Sequence, residues 1–490
     1  MAERRVLAID LGASSGRGII GGFDGERLTT EEIHRFDNSP VSLAGRFSWD
    51  IPALYGNILT ALTRSTVSGG VSSVGVDTWG VDYGYIDKNS HLFSYPVHYR
   101  DRRTENIREE FFGVIPWDEL YGRTGIQDMA FNTIYQLYCD VKNDPHILSS
   151  AKRMLFIPDL LNYLLTGIEA TEYTIASTGA ILDAEERCVA TDLLQRIGFD
   201  PGLLAPLVQP LNTLGGLTGE VMAITGAGAD VKVINTASHD TASAVLATPA
   251  DSDDFVYISC GTWSLLGVEL PSPKITPESR KYGFTNEGGA GGKIRFLKNI
   301  AGLWLEQESR RQWMREGKKF SYDELSEAAM ASTAHKFLIN PDDDLFSPQG
   351  DMPRRIADFC ERTGQGRPET EGEIVRCIFD SLALRYRWSI DKIRGLTGMP
   401  VREIHIVGGG VRESALMRLA ADACGIPVIA GPSEATAIGN ICAQLIAAGE
   451  IGDIAEAREL VRRSTELAVY EPQGDRAAWD AAYERFLKLI

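Results

Sequence analysis

Short apolar runs, each closed by a cluster of Gly, Ser or Asp, recur along the chain. In RRVLAIDLGASSGRGIIGG, the run from Val6 to Leu11, a Gly/Ser-rich turn and a second run from Arg17 to Gly21 predict a strand, a tight turn and a returning strand. The design returns in DFVYISCGTWSLLGVEL, with apolar strands expected at 255–258 and 265–270 around a Ser/Gly/Thr turn. Before this second copy, ATPADSDD at 247–254 is the most linker-like polar passage in the middle of the chain. A repeated element with a linker ahead of its second copy predicts two related domains, 1–248 and 249–490.

Other stretches fill in layers around these hairpins. VSSVGVDTWGVDYGYID reads as strand, Gly turn and strand, and IPDLLNYLLTG as a helix with apolar residues at helical spacing. EIVRCIFDSLALRYRWSIDKIRGL predicts a long amphipathic helix with Ile374, Cys377, Ile378, Leu382, Ile390 and Ile393 toward one side. EIHIVGGGVRESALMRLAADACGIPVIAG reads as strand, triple glycine, helix and strand. The closing RAAWDAAYERFLKLI places Trp479, Tyr483, Phe486 and Ile490 in a stripe suited to core packing. Strands alternating with helices predict an α/β protein.

Composition narrows the possible partners. The 490 residues exceed one ordinary core, in keeping with two large domains. Lys and Arg number 49 against 67 Asp and Glu, and the net charge of −18 repels a nucleic-acid backbone and an anionic membrane surface alike. Seven cysteines are scattered with no Cys-x-x-Cys spacing, which predicts a reduced, metal-free, cytoplasmic chain. The apolar run after MAERR ends at Asp10, too soon for a signal-peptide core, and no stretch of 18 apolar residues occurs, so a soluble protein is expected.

The Gly-rich turns are the first candidate chemistry. A tight turn after a strand exposes backbone N–H groups to an anion such as phosphate. In DLGASSGR, Gly12 and Gly16 allow close approach, Ser14 and Ser15 add hydroxyls and Arg17 a charge; in SCGTWS the corresponding parts are Gly261, Thr262 and Ser264. The triple glycine Gly408–Gly410 between strand and helix either admits a nucleotide or simply makes room for a helix start. It is no dinucleotide fingerprint, and EGGAGGKI is no P-loop, because Glu287 and Ile294 stand where Gly and Ser or Thr are needed. Asp10 beside the first turn could hold the waters of a Mg²⁺, or serve turn formation alone. In DTWGVD, Asp77, Trp79 and Asp82 surround Gly80, an arrangement that suits a sugar or a packed core. TASHDTASAV sets His239 and Asp240 among small neighbours, with Asp240 either capping a helix that starts near Thr241 or facing a ligand in the space those neighbours leave.

In this order, AIDLGASSGR, DTWGVD, YRDRRT, ASHDTASAV, SCGTWSL, TNEGG, LKNIAGLW, FDSLALRY, HIVGGG and ADACGIPVIAGP resemble the motifs of the FGGY carbohydrate kinases, and within that family the members acting on L-rhamnulose. The motifs run from about residue 5 to about residue 450. The resemblance implies two ribonuclease-H-like, actin-like ATPase domains with an active site in the cleft between them. Residues 1–248 would bind sugar and phosphate, and 249–490 nucleotide. It also implies transfer of the ATP γ-phosphoryl group to the carbon 1 hydroxyl of L-rhamnulose, with Mg²⁺ as cofactor.

By position, the resemblance assigns Ala13, Ser14, Ser15, Gly16 and Arg17 to the ATP phosphates, and Thr262, Gln307, Gly408, Gly409 and Gly410 to the nucleotide. Gly80, His239, Thr241 and Asn299 would contact sugar, Asp240 would accept the proton of the attacking hydroxyl, and Asp10 would serve the metal. After the triple glycine, Val411, Arg412, Glu413 and Ser414 replace the amide-rich stretch of relatives, which leaves the adenine contacts open. Two other activities stay on the list: a kinase for another ketose or polyol such as L-fuculose or L-xylulose, and an actin-like nucleotide switch that needs no acceptor base. Small-molecule ketose and ATP are the expected partners, without nucleic acid or membrane, in a monomer or homodimer.

Overall fold

The computed structural model describes residues 3–490. The chain divides into two compact units, the first made of Met1–Ala247, Glu269–Phe296 and Ala435–Ser464, the second of Thr248–Val268, Leu297–Glu434 and Thr465–Ile490.

The first unit is built on a six-stranded sheet of β1 (Arg4–Leu11), β2 (Ser15–Phe23), β3 (Leu28–Asp37), β4 (Ser73–Thr78), β5 (Asn212–Gly216) and β6 (Lys232–Asn235), in the order β5-β6-β4-β1-β2-β3. The apolar run from Val6 to Leu11 does not alternate because this strand is buried on both faces. On one face lies helix Ile51–Val67, started by Asp50, whose carboxylate accepts from the Ala53 N–H, and by Pro52 in the first turn; it buries Leu54, Ile58 and Leu62 against Leu7, Ile9 and Val74. The other face is crossed by helix Ala435–Ala447, which brings Gln444 Nε2 to within 2.9 Å of the Leu7 carbonyl oxygen. That helix in turn crosses helix Asp240–Leu246 so closely that a Cβ on Gly439 would stand 1.8 Å from the Ser243 carbonyl oxygen.

Most of a seven-stranded sheet belongs to the second unit. Its strands are β7 (Phe255–Cys260), β8 (Ser264–Leu270), β9 (Thr285–Gly288), β10 (Ile294–Ile300), β11 (Glu403–Val407), β12 (Val428–Ala430) and β13 (Ala468–Tyr470), in the order β9-β10-β8-β7-β11-β12-β13. The repeat goes deeper than the two hairpins. β1 pairs antiparallel with β2 and parallel with β4, β4 parallel with β6, and β6 antiparallel with β5. β7 pairs antiparallel with β8 and parallel with β11, β11 parallel with β12, and β12 antiparallel with β13.

Three expectations change. Helix Glu371–Thr397 is not one-sided: Arg376, Asp380, Ser381 and Arg385 are buried along with its apolar stripe. Their charges are matched in place, Arg376 Nε to Asp380 at 2.9 Å and Arg385 Nε to Asp342 at 2.8 Å, which is what lets a charged face enter a core. The C-terminal helix ends at Phe486, and Ile490, beyond it, is 40% exposed rather than part of the stripe. The passage at 247–254 is polar only in part, since Ala247, Thr248 and Ala250 are buried.

Candidate active site

Parallel strands of α/β sheets present ligands at their C-terminal ends, and in the first unit those ends are acidic. Asp10 lies at the end of β1, paired in register with Asp77 on β4 and with Arg17 across the hairpin on β2. Both carboxylates are buried. Asp77 Oδ2 accepts from Asn440 Nδ2 at 2.6 Å, while its Oδ1 is buried without a hydrogen-bond partner. Burial, and then the neighbouring Asp10 charge, hold the Asp77 carboxyl well above the usual carboxylate range; burial also raises Asp10, against the pull of Arg17 and Arg35.

The next strand end carries His239 and Asp240. Thr78, closing β4, donates its N–H to the Ser238 carbonyl oxygen at 2.9 Å and forms a parallel bridge with His239. Below this segment Glu172 accepts from the N–H groups of Thr174 (2.8 Å), Ile175 (3.1 Å) and Ser238 (3.2 Å), and the Thr174 hydroxyl accepts from the His239 N–H at 3.2 Å. The loop into the helix is thus fixed by side chains on both sides of it. The capping role for Asp240 does not hold. The helix begins at Asp240 itself, and its carboxylate takes the N–H (2.5 Å) and hydroxyl (3.0 Å) of the adjacent Thr241 instead of an N–H further into the helix. The Asp240 side chain keeps 30% of its area open, and confinement together with the Asp10 charge pushes its pKa up to about 7. A carboxylate that binds a proton readily near neutrality and has an open face can accept one from a ligand.

DTWGVD divides between scaffold and site. Trp79 belongs to the core, its ring centroid 3.8 Å from that of Trp49. Asp82 is its bracket, accepting from Trp49 Nε1 (2.7 Å), Trp79 Nε1 (3.1 Å), the Tyr99 N–H (3.1 Å) and Gln136 Nε2 (3.1 Å). Neither side chain is placed to stack on or hydrogen-bond a sugar. Gly80 is partly open beside Thr178, whose hydroxyl accepts from the Val81 N–H at 3.0 Å. Val81 is held at φ 69°, a strained angle for a β-branched residue. The Thr133 hydroxyl on the Val81 carbonyl oxygen at 2.7 Å helps hold it there.

The first Gly/Ser turn is tied down by Asn38, which donates its side-chain amide to the Gly12 carbonyl oxygen at 2.9 Å and its backbone N–H to that of Ser14 at 3.1 Å. Ala13, Ser14 and Ser15 stay at least partly exposed. Gly16 has a structural reason to be glycine, because a Cβ there would lie 2.3 Å from the Phe36 ring. In the second unit Thr262 Oγ1 donates to Gln307 Oε1 at 3.2 Å, and the turn is pinned by the N–H groups of Leu303 and Trp304 on the carbonyls of Gly261 and Thr262. The triple glycine resolves into different roles. Gly408 has φ 89° and Gly410 packs on Cys260, whereas Gly409 is exposed, with no protein atom within 4 Å of the place a Cβ would take. Space left open at Gly409, and likewise at Gly261, is what a close-lying ligand needs. Asn299 lies on β10 in the second unit, while Gly80, His239, Asp240 and Thr241 are in the first.

The acidic strand ends fit a divalent cation. Asp77 Oδ1 is an orphaned buried acceptor, and two further carboxylates lie close enough to raise its pKa. Among the described residues no three His, Cys, Asp or Glu side chains form a ready-made metal cage. Few protein ligands and many waters is the habit of Mg²⁺.

Two sheets of one strand pattern, each with a Gly-rich hairpin turn beside its parallel strands, define a two-domain α/β protein of the ribonuclease-H-like, actin-like ATPase class. The chain belongs to the FGGY family of carbohydrate kinases: the N-terminal domain of that family matches residues 5–247 and the C-terminal domain residues 256–448. It is 46% identical to a rhamnulokinase of Bacteroides thetaiotaomicron over 100% of both chains. A rhamnulokinase of Oceanobacillus iheyensis is 40% identical over 95% of this chain and 97% of its own. A ligand-bound xylulose kinase from Lactobacillus acidophilus shares the fold, with a TM-score of 0.83 at 15% identity over 99% of this chain and 97% of the other.

Four side chains around the site escaped the sequence reading: Asn440 on Asp77, Glu172 under the 238–239 loop, and Arg295 with Glu287 against His239. For Asn440 a signal existed, since Asn440 and Gln444 share one face, four residues apart, of a mostly apolar helix.

Proposed function

We propose that this chain transfers the γ-phosphoryl group of ATP to the carbon 1 hydroxyl of L-rhamnulose, giving ADP and L-rhamnulose 1-phosphate. The observation that carries the reading is Asp240: an open carboxylate with its pKa pushed up to about 7, set beside His239 in a loop fixed from below. The full-length likeness to two rhamnulokinases supports the choice of ketose. As the hydroxyl oxygen bonds to phosphorus, its O–H bond breaks and the proton passes to Asp240, while the bond from the γ-phosphorus to the bridging oxygen breaks and ADP leaves. Gly80, His239, Thr241 and Asn299 are assigned to the sugar. Ala13–Arg17, Thr262, Gln307 and Gly408–Gly410 are assigned to the nucleotide. Asp10, with Asp77 beside it, would hold Mg²⁺ through water, and the ion when bound supplies charge neutralisation to the phosphates. Localisation in the cytoplasm fits a chain in which, among the described residues, no helix is long and apolar enough to cross a membrane.

A panel of ketoses with ATP tests the reading. L-Rhamnulose is expected to be phosphorylated with the highest kcat/KM, ahead of L-fuculose and L-xylulose. A higher value for one of those keeps the kinase and replaces the substrate. ATP hydrolysis equally fast with and without every sugar overturns the kinase in favour of a nucleotide switch.

A further inference from the structure

Behind the start of helix Asp240–Leu246 lies a guanidinium with no exposed surface. Arg295, on β10 but in the first unit, donates Nε to the Gly288 carbonyl oxygen at 2.9 Å, and its Nη2 stands 3.1 Å from Glu287 Oε2 and 2.9 Å from His239 Nδ1. A guanidinium has five N–H donors and no acceptor, and it stays charged at any pH the protein meets. His239 Nδ1 must therefore turn its lone pair toward Arg295. Burial and the Arg295 charge hold the ring neutral, its pKa well below the ordinary histidine value, so its single proton sits on Nε2. That nitrogen is 3.4 Å from Asp240 Oδ1.

We propose that Arg295, steadied by Glu287 and the Gly288 carbonyl, is a positioning residue that imposes the Nε2–H tautomer on His239 and so fixes an N–H donor beside Asp240. Without Arg295 the other tautomer has a partner waiting, because Glu287 Oε2 lies 3.5 Å from Nδ1 and would accept its proton. Nε2 would then turn a lone pair toward a carboxylate, two acceptors facing one another. The arrangement also makes the two Asp240 oxygens unequal. Oδ1 takes the Thr241 N–H and the Thr241 hydroxyl and faces His239 Nε2 at 3.4 Å, and among the described residues no hydrogen bond goes to Oδ2. Oδ2 is the oxygen left to receive the hydroxyl proton. This last assignment rests on Asp240 as proton acceptor; the tautomer does not.

Ring ¹⁵N chemical shifts of histidine-labelled protein test it directly, with His239→Gln identifying the signal. In the unaltered protein Nε2 is expected to carry the proton and Nδ1 to show a lone pair between about pH 6 and 9, outside the range in which a buried neutral ring would titrate. In Arg295→Met the proton moves to Nδ1 or the ring gains a second proton. At the same time kcat falls roughly 10- to 100-fold, the range for losing a group that orients a reacting one, with KM for ATP changed less than about twofold. Arg295→Lys, which keeps a charged donor, restores the Nε2–H form and part of kcat. A proton on Nδ1 in the unaltered protein overturns the proposal, and that measurement stands even if Arg295→Met fails to fold. So does a folded Arg295→Met with an unchanged tautomer and unchanged kcat. If the unaltered protein phosphorylates no ketose, the kinase reading fails while the tautomer is still decided by its spectrum.

Discussion

Asp240 and Asp10 both carry a carboxylate toward the same strand ends, yet their surroundings ask different things of them. Asp240 keeps an open face and a raised pKa, as an acceptor of a proton requires. Replacing it with Asn keeps the shape and removes the basic oxygen, so kcat is expected to fall by about two orders of magnitude or more, the upper part of the range for a lost general base. Nucleotide binding, followed by calorimetry, should stay as it was. Near-normal turnover in Asp240→Asn would leave the residue a purely structural one. Asp10 instead stands in register with Asp77, whose Oδ1 has no partner. For Asp10→Ala the expectation is a folded protein whose Mg²⁺ titration shifts to higher concentration; an unmoved titration curve removes the metal role.

At the scale of elements, two glycines make opposite tests. Gly439 lets helix Ala435–Ala447 cross helix Asp240–Leu246, and a methyl group there would meet the Ser243 carbonyl oxygen at 1.8 Å. Gly439→Ala should destabilise by about 1–3 kcal/mol or more, as overpacking a helix contact does, and lower the urea midpoint. A methyl group on Gly409 would meet no protein atom within 4 Å. Gly409→Ala should leave that midpoint unchanged while weakening ATP binding, and a stability loss there in place of a binding loss would make Gly409 structural. The elements also mark how far the sequence could be read. Both Gly-turn hairpins were legible because their strands are mostly apolar runs next to turn residues, and His239–Asp240 stood out because a charge among Ala, Ser and Thr is conspicuous. The buried Arg376, Asp380 and Arg385 were not legible, since their partners decide their burial and Asp342 is far away in the chain. Arg295 and Glu287 were hidden in the same way. Nothing local says that residues 269–296 pack with the first unit, and the Gly-rich EGGAGGKI drew attention to phosphate rather than to the charges at either end.

Across the whole molecule, several acids are buried with raised pKa values, and their sum has a sign. Burial pushes Asp82 to about 6, Glu172 to about 7 and Glu306 to about 8, the last helped by the nearby Glu413 charge. Each folded-state pKa lies above the unfolded value near 4, so each contributes stability that is complete below about pH 4 and lost as pH rises through about 6 to 8. Buried His98, lowered to about 3, acts the other way: its contribution grows as pH rises and is complete above the unfolded histidine pKa near 6.5. Exposed carboxylates with lowered pKa values, such as Glu110 and Glu32, have finished titrating by then. Chemical denaturation of the ligand-free protein should therefore show lower stability at pH 8 than at about 6.5, with Glu306→Gln removing part of the fall. Stability that climbs steadily across that interval would contradict this balance.

The first unit is assembled from three stretches of chain, the last of them Ala435–Ser464. A ribosome delivers those stretches in order. When Leu7, Ile9 and Val76 emerge, the helix that will carry Asn440 to Asp77 and Gln444 to the Leu7 carbonyl is more than 350 residues from being made. The sheet that holds Asp10 and Asp77, with Asp240 at the helix start beside it, must wait for the helix Ala435–Ala447 on one face through nearly the whole of synthesis. The Gly439 crossing that closes this face is among the last contacts available, so the acidic site matures after the second unit has largely been synthesised. A ribosome-bound chain stopped short of Ala435 should bind a hydrophobic dye and be cut by protease within the first unit, whereas one extended past Ser464 and clear of the exit tunnel should resist both.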